Sequence, residues 1–502
     1  MANETLHELL TLIDEQIQIG KLQVAQNYLL SLKKSEIPFK FWLEIANLGR
    51  RAQLPYFVLK WLNSIIRPEK ESDEHLATSK HISLYANALA RIGSFQEAES
   101  LFNSISHNDD TQIYFYKALL NMQRWDYQKA VSNLKKFIHQ PNLNEQQLNA
   151  GHLNLAASLC AVGDYEDSLS IIEKIINKVP SNSIIKGILL ETQGQNLMHL
   201  NKFKEAQIIL ENAIQIFDNS NHSFKIYAEK WLILNKIKQI SNPTVEDLSE
   251  LLKLKVKALE QSQWETVRDC DLYFGYFTKN NDLLLKIFFG TRHSKFKNRI
   301  IKNFNLNLNI PDRFKMILNQ SSIKNPVILD PQTGLFHNSE VQFLQHLPLK
   351  FFRLLTSDIY LPFHVGEIFS ELYQGEYFNP NSSPQKINRL IHRLREDLLN
   401  NKIQIDIKVF RKQLYLVYKD NIILLLNFKK RKSFSKLKEY ISLKNNFDLL
   451  KFDVNSAEKI LQTSRRNTNR ILQSLVKEKL VLINKEGRKT NYKINHKIKK
   501  IS

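Results

Sequence analysis

A fixed spacing of small and aromatic residues recurs through the N-terminal half of this 502-residue chain. The aromatic positions are Phe95, Tyr127, Tyr165 and Phe203, separated by 32, 38 and 38 residues. A small residue lies nine positions before each aromatic, and another lies three positions after it. These small residues are Ala86, Ala118, Ala156 and Gly194 before the aromatics, and Ala98, Ala130, Ser168 and Ala206 after them. Small residues let two helices approach closely and aromatics fill the space between pairs, so the spacing predicts stacked helical hairpins.

This pattern resembles the tetratricopeptide repeat, whose period is about 34 residues. Weaker copies near Gly20 and Ala46 extend it towards the N-terminus. The resemblance implies an α-solenoid over residues 1–240, with a groove that binds a peptide or a partner protein. A generic all-helical bundle is the alternative. Residues 241–324 are predicted to continue as a helical extension or linker, and the basic stretch Arg292–Arg299 as a solvated helix face, with phosphate contact as the alternative.

The positive charge of the chain is concentrated near its C-terminus. The whole chain carries a net charge of +21, of which residues 381–502 contribute +20. A neutral half followed by a strongly basic quarter points to a polyanionic partner for that quarter.

Residues 325–420 have the element order of a known DNA-binding domain. Short strands are predicted at 327–330, 335–337 and 341–344, helices at about 349–356, 365–372 and 383–399, and a hairpin of strands 403–410 and 413–418. Within the third helix, the run Leu390-Ile391-His392-Arg393-Leu394-Arg395 is the most specific part. The segment resembles the OmpR/PhoB-type winged-helix domain, and the resemblance implies that this helix reads DNA.

One face of that helix is apolar and the other is polar and basic, as major-groove recognition requires. An ordinary amphipathic surface helix is the alternative interpretation. With the hairpin turn included, the predicted DNA contacts of this domain are Lys386, Asn388, Arg389, His392, Arg393, Arg395, Arg411 and Lys412.

A second compact unit follows a basic connector at 421–446. Over residues 447–502 we predict a short helix, a turn, a longer helix from Arg465 and a hairpin with a basic tail, an order similar to the winged helix of MarR-like repressors. The alternative is a winged helix that docks onto protein. The predicted DNA contacts here are Arg465, Arg466, Asn469, Arg470, Arg488 and Lys489.

Features typical of enzymes, metal sites and membrane proteins are missing from the sequence. It holds two distant cysteines, no clustered metal-ligand pattern, and none of the common nucleotide-binding or hydrolase motifs. We therefore predict no catalytic activity, cofactor or metal. No signal peptide is recognised and the longest apolar run, 422–426, is too short to span a bilayer, so we expect a cytoplasmic protein.

Together these features predict a mainly α protein: a tetratricopeptide-like solenoid followed by two winged helices. The predicted function is that of a bacterial transcription regulator that binds double-stranded DNA, with a protein or peptide partner in the repeats and a homodimer as an open possibility. Two alternatives stay open. One is a scaffold whose winged helices contact protein or RNA, and the other is a replication initiator of plasmid or phage type.

Overall fold

The computed structural model describes residues 3–68, 77–106, 110–220, 222–304, 310–318, 326–336, 344, 346–419, 422–427, 437–447, 451–477, 480–486 and 489–495. Within these residues the chain has 23 α-helices and nine strands. It forms two compact units: Met1–Ile310 with Lys350–Lys419, and Pro311–Leu349 with Asp420–Ser502. The boundaries of these units fall at 310/311, 349/350 and 419/420.

A series of helical hairpins makes up the first 304 residues. Its helices are α1 (Asn3–Gln18), α2 (Leu22–Ser31), α3 (Trp42–Arg51), α4 (Pro55–Ile66), α5 (Ser79–Arg91), α6 (Phe95–Ser104), α7 (Ile113–Gln123), α8 (Tyr127–Ile138), α9 (Glu145–Val162), α10 (Tyr165–Ile175), α11 (Ile184–His199), α12 (Phe203–Asn219), α13 (Lys225–Ile237), α14 (Ser249–Glu260), α15 (Trp264–Phe277), α16 (Asn281–Phe289) and α17 (Ser294–Asn303). The prediction of a mainly helical repeat fold is confirmed.

The recurring aromatics and small residues do what their spacing predicts. Each aromatic is the first residue of the second helix of a hairpin, at α6, α8, α10 and α12. All eight small residues of the pattern are buried. At Gly194, a β-carbon would lie 2.5 Å from Cγ of Leu210, so only glycine permits this helix contact.

The turn inside each hairpin is equally regular. A residue with positive φ lies two positions before the second helix, as at Gly93, Gly163 and Asn201, and Trp125 occupies the same position with a φ of 61°. The turn recurs before α15, where Ser262 has a φ of 57°. The hairpin pattern therefore continues past residue 240, where the sequence prediction had ended it.

The rest of the first unit is a small α/β segment, residues 350–419. After α18 (His346–Leu355), its elements are β4 (Phe363–His364), α19 (Val365–Leu372), α20 (Ser383–Asn400), β5 (Ile405–Phe410) and β6 (Gln413–Tyr418). Strand β6 lies between β4 and β5, and all pairs are antiparallel. The helices and hairpin thus lie close to where the sequence predicts them.

The second unit contains a sheet that sequence analysis only partly anticipated. Its strands are β1 (Arg313–Leu318), β2 (Val327–Asp330), β3 (Leu335–Phe336) and β7 (Ile422–Asn427), in the order β1-β7-β2-β3. The expected 327–337 hairpin is present as β2 and β3. Strand β1 corrects the helical prediction for 241–324, and β7 corrects the connector prediction for 421–446. The predicted strand at 341–344 lies, except for Leu344, outside the described residues.

The last elements share a separate core in the same unit. They are α21 (Leu437–Phe447), α22 (Val454–Leu461), α23 (Arg465–Lys477), β8 (Val481–Glu486) and β9 (Lys489–Ile494), the two strands being antiparallel. Helix α21 also falls in the predicted connector, yet its residues Tyr440 and Leu443 are buried in this core. The lysine-rich run 429–436 and the tail from 496 lie outside the described residues. No described helix is long and apolar enough to cross a bilayer.

Candidate functional site

Helix α20 has one buried and one exposed face. Its apolar residues Ile387, Leu390, Ile391, Leu394 and Leu398 are buried, which holds the helix in the core of the 350–419 segment. On the opposite side, the exposed positions predicted to contact DNA include Asn388, Arg389, His392 and Arg393. The helix therefore presents hydrogen-bond donors and positive charge to solvent.

Two other predicted residues of α20 are engaged within the segment itself. Lys386 Nζ lies 2.5 Å from Glu376 Oε2 in an exposed ion pair. The Arg395 guanidinium donates to the carbonyl of Ile407, and its Nε lies 3.8 Å from Oδ1 of Asp406. Arg395 thus ties α20 to strand β5, a role that the helical wheel alone does not indicate.

The hairpin tip turns at Arg411 and Lys412, whose φ angles of 48° and 61° form the tight two-residue turn that suits the twist of paired strands. Lys412 Nζ lies 3.6 Å above the ring of Tyr56 in α4, and burial there lowers its pKa, with Lys60 adding to the effect. Of the two tip residues, Lys412 therefore contacts the solenoid.

Helix α23 has a similar division in the second unit. Ile471, Leu472 and Leu475 are buried, whereas Arg465, Arg466 and Arg470 are exposed and Asn469 is half-buried. Arg465 donates to the side chain of Asn455 at 2.9 Å. The other two arginines carry no described ion pair. Arg488 lies outside the described residues, and nothing is described of the Lys489 side chain.

The 350–419 segment is fastened to the solenoid near α6. The hydroxyls of Ser94 and Ser370 lie 2.7 Å apart, and the backbone N–H of Phe378 donates to Glu97 at 2.9 Å. Gly93, at the α5–α6 turn, allows a close approach, because a β-carbon there would lie 2.5 Å from Cβ of Glu367. The contact therefore depends on the glycine of this repeat.

A second attachment joins the segment to the C-terminal helices of the solenoid. The Tyr360 hydroxyl donates to Asp271 in α15 at 3.0 Å, and the Ile359 N–H donates to the Gly290 carbonyl at 3.0 Å. Together with the contact between Lys412 and Tyr56, the segment thus meets the solenoid at α4, α6 and α15.

The solenoid also forms a partly open cavity of about 450 Å³. Helices α7, α9, α11 and α13 contribute to its lining, together with α15 and α17. Its aromatic residues include Trp125, Tyr127, Tyr165, Trp231 and Tyr273. The volume lies within the range of about 300–1,000 Å³ that is usual for small-ligand sites.

Charges of both signs line this cavity. Lys230 Nζ and Asp269 Oδ2 form an ion pair at 2.6 Å. Glu191 and Arg299, which also line it, have no ion pair among the described residues. Burial raises the pKa of Glu191 to about 7 and lowers that of His199 to about 3, so His199 is neutral. The carboxyl groups of Glu191 and Glu265 and the cations of Lys238 and Arg299 therefore line the same cavity without an ion pair among the described residues.

Of these charged residues, only Arg299 was singled out from the sequence, as the end of the basic stretch Arg292–Arg299. The sequence predicts a solvated helix face there, but the Arg292 side chain is only 15% exposed and Phe296 is buried. The repeated aromatics did point to this region, since Tyr127 and Tyr165 both line it. No group of described side chains could hold a metal ion.

Comparisons with known proteins do not assign a family to this chain. No protein-family model matches the chain, and no curated protein matches it. A crystal structure of a Rap protein with competence and sporulation factor aligns at 12% identity and a TM-score of 0.42, over 60% of this chain and 89% of that one. The apo form of RapI aligns at 16% identity and a TM-score of 0.37, over 57% and 85%. At these TM-scores neither likeness supports a function.

Proposed function

We propose that this protein is a DNA-binding transcription regulator, and that α20 and α23 are the recognition helices of two winged helices. The observation that carries the proposal is the exposed face of α20. Asn388, Arg389, His392 and Arg393 stay accessible although the surrounding segment is attached to the solenoid on two sides. Arginine pairs with guanine and asparagine with adenine in the major groove, and both also bind phosphates.

The test is equilibrium binding of the full chain to duplex DNA over a range of salt concentrations. Affinity should fall steeply as salt rises, because each phosphate contact releases counterions. Arg393→Glu and Arg470→Glu should each weaken binding at least tenfold. Each should also lower the slope of log affinity against log salt concentration by about one, the value of one phosphate contact. Lys204→Glu, at an exposed position on α12, makes the same change in charge and should bind like the wild type.

Other outcomes identify the alternatives. A chain that fails to retain DNA even at low salt refutes the proposal. Unchanged DNA binding in Arg465→Glu, Arg466→Glu and Arg470→Glu assigns α23 to protein or RNA contacts. Binding restricted to a replication origin, as mapped across the genome, would indicate a replication initiator.

We propose further that the solenoid cavity holds a short peptide with free termini. Glu191 would pair with its ammonium group and Arg299 with its carboxylate, while the aromatic residues of the lining pack against its side chains. Charged groups desolvated in this way are stabilised only when paired, so a zwitterionic ligand suits the cavity.

A mixture of short synthetic peptides of random sequence tests this proposal. Peptides that co-elute with the full chain are identified by mass spectrometry. We expect retention to fall at least tenfold in Arg299→Ala and with peptides acetylated and amidated at their ends. Equal retention of capped and uncapped peptides, or no retention of either, contradicts the proposal.

A further inference from the structure

Helix α14 exposes an apolar stripe on the surface of the solenoid. Leu251, Leu254 and Ala258 are buried against neighbouring helices. Leu252, Val256 and Leu259, on the other side, are 36%, 58% and 52% exposed. Because Leu252, Val256 and Leu259 are separated by steps of four and three residues, they lie on one line along the helix. This is the spacing of the seam through which two helices pair in a coiled coil.

The lysines of α14 differ in their pairing. Lys255 lies 2.6 Å from Asp271, and Lys257 lies 2.6 Å from Glu229, so both are satisfied by neighbouring helices. Lys253 is exposed and has no ion pair among the described residues, and the same holds for Glu260. Seven residues separate Lys253 from Glu260, so they lie at the same angle on the helix, along one edge of the stripe.

Lys253 and Glu260 have opposite charges, so the charged edge of α14 is complementary to the same edge of a second copy of the helix. When two copies of one helix pair antiparallel about a two-fold axis, each edge of the seam meets the same edge of the partner helix. If the axis passes close to Val256, Lys253 of each copy then faces Glu260 of the other. The apolar stripes meet between these two ion pairs.

We propose that α14 is the contact through which two copies of this chain form an antiparallel, two-fold symmetric dimer. Ile240 and Val245, 40% and 62% exposed, are two further exposed apolar side chains in the segment that precedes α14. A single helix pair buries less than the roughly 1,200–2,000 Å² of a stable interface. The dimer is therefore reversible and depends on protein concentration. The inference does not rest on DNA binding.

Sedimentation equilibrium of the full chain without DNA tests the dimer. The wild type should change from monomer to dimer as its concentration rises. Val256→Glu should raise the dissociation constant at least tenfold, because it buries like charges next to the two-fold axis. Ile208→Glu changes an isoleucine in α12 that is 60% exposed, and serves as the matched control that leaves the dissociation constant unchanged.

A charge exchange tests the antiparallel geometry. Lys253→Glu alone and Glu260→Lys alone should each weaken the dimer, because each places like charges opposite one another. The double variant Lys253→Glu/Glu260→Lys should restore it. The four substituted positions, Ile208, Lys253, Val256 and Glu260, are all exposed. Thermal denaturation of every variant should therefore match the wild type and rule out misfolding as the cause. A monomer at all concentrations, a dimer unaffected by Val256→Glu, or a double variant no better than the single ones overturns the proposal.

Discussion

Glu191 illustrates how a single side chain links the fold to solution conditions. It lies in the cavity wall on α11, where burial raises its pKa from 4.5 to about 7. The folded protein therefore holds the proton of this carboxyl group more tightly than the unfolded chain does. Below about pH 4.5 the group is protonated in both states and does not affect stability. As pH rises towards 7, only the unfolded state ionises freely, and the free energy of unfolding falls.

Glu191→Gln should remove this pH dependence. Relative to the wild type, the variant should gain at most about 3–4 kcal/mol of unfolding free energy between about pH 4.5 and pH 8, since one pKa unit corresponds to about 1.4 kcal/mol. Urea denaturation without ligand at several pH values measures the difference. Glu166→Gln, at an exposed carboxyl group on α10, is the control. A constant difference between Glu191→Gln and the wild type across this range would refute the assignment.

Trp125 shows that a repeat pattern can predict a turn without predicting what the side chain at that turn packs against. The other three copies of the small–aromatic pattern have Gly93, Gly163 and Asn201 at this position in the hairpin turn, where φ is positive. The backbone strain there is usually avoided by glycine or asparagine. Trp125 adopts this conformation with its ring 4.6 Å from that of Phe296 in α17. The spacing predicted the turn, but the ring that Trp125 packs against lies 171 residues further along the chain.

At the scale of elements, the start of α17 is held to the 350–419 segment by a buried charge network. Arg292 Nε lies 2.8 Å from Glu367 and its Nη1 lies 3.4 Å from Asp358. The same guanidinium donates to the carbonyl of Leu361 at 3.0 Å and stacks over Phe363 at 4.1 Å. This one side chain therefore connects the last helix of the solenoid with β4 and α19.

Arg292→Ala should destabilise the first unit by about 3–5 kcal/mol, because it leaves two buried carboxylates without their cation. The lost stability should partly return at low pH, where Glu367 is protonated, since burial raises its pKa to about 7 even beside Arg292. Chemical denaturation at two pH values measures both effects. Lys295→Ala removes a charge that is 56% exposed on α17, three residues further along the chain, and should have little effect. Equal destabilisation by the two substitutions would show that the network contributes nothing.

The elements themselves were largely predictable from local pattern. Val365–Leu372 and Gln413–Tyr418 match their predicted bounds, because an amphipathic period and turn residues define them locally. Strand β7 was missed because a short apolar run does not distinguish a strand from other buried segments. Its partners, β1 antiparallel and β2 parallel, lie roughly 100 residues earlier in the chain.

At the scale of the whole molecule, the sequence by itself determined the repeat, the concentration of charge after residue 380 and the two-faced helices α20 and α23. These features depend on periods of a few residues, which act within one helix or hairpin. Only the tertiary structure decided that β7 pairs with β1, and that Glu191 and Arg299 line one cavity. It also decided that Arg395 contacts strand β5 and that Lys412 contacts Tyr56 of the solenoid. Such contacts join residues far apart in the chain, and their geometry follows from the packing of many helices together. No local pattern contains that information.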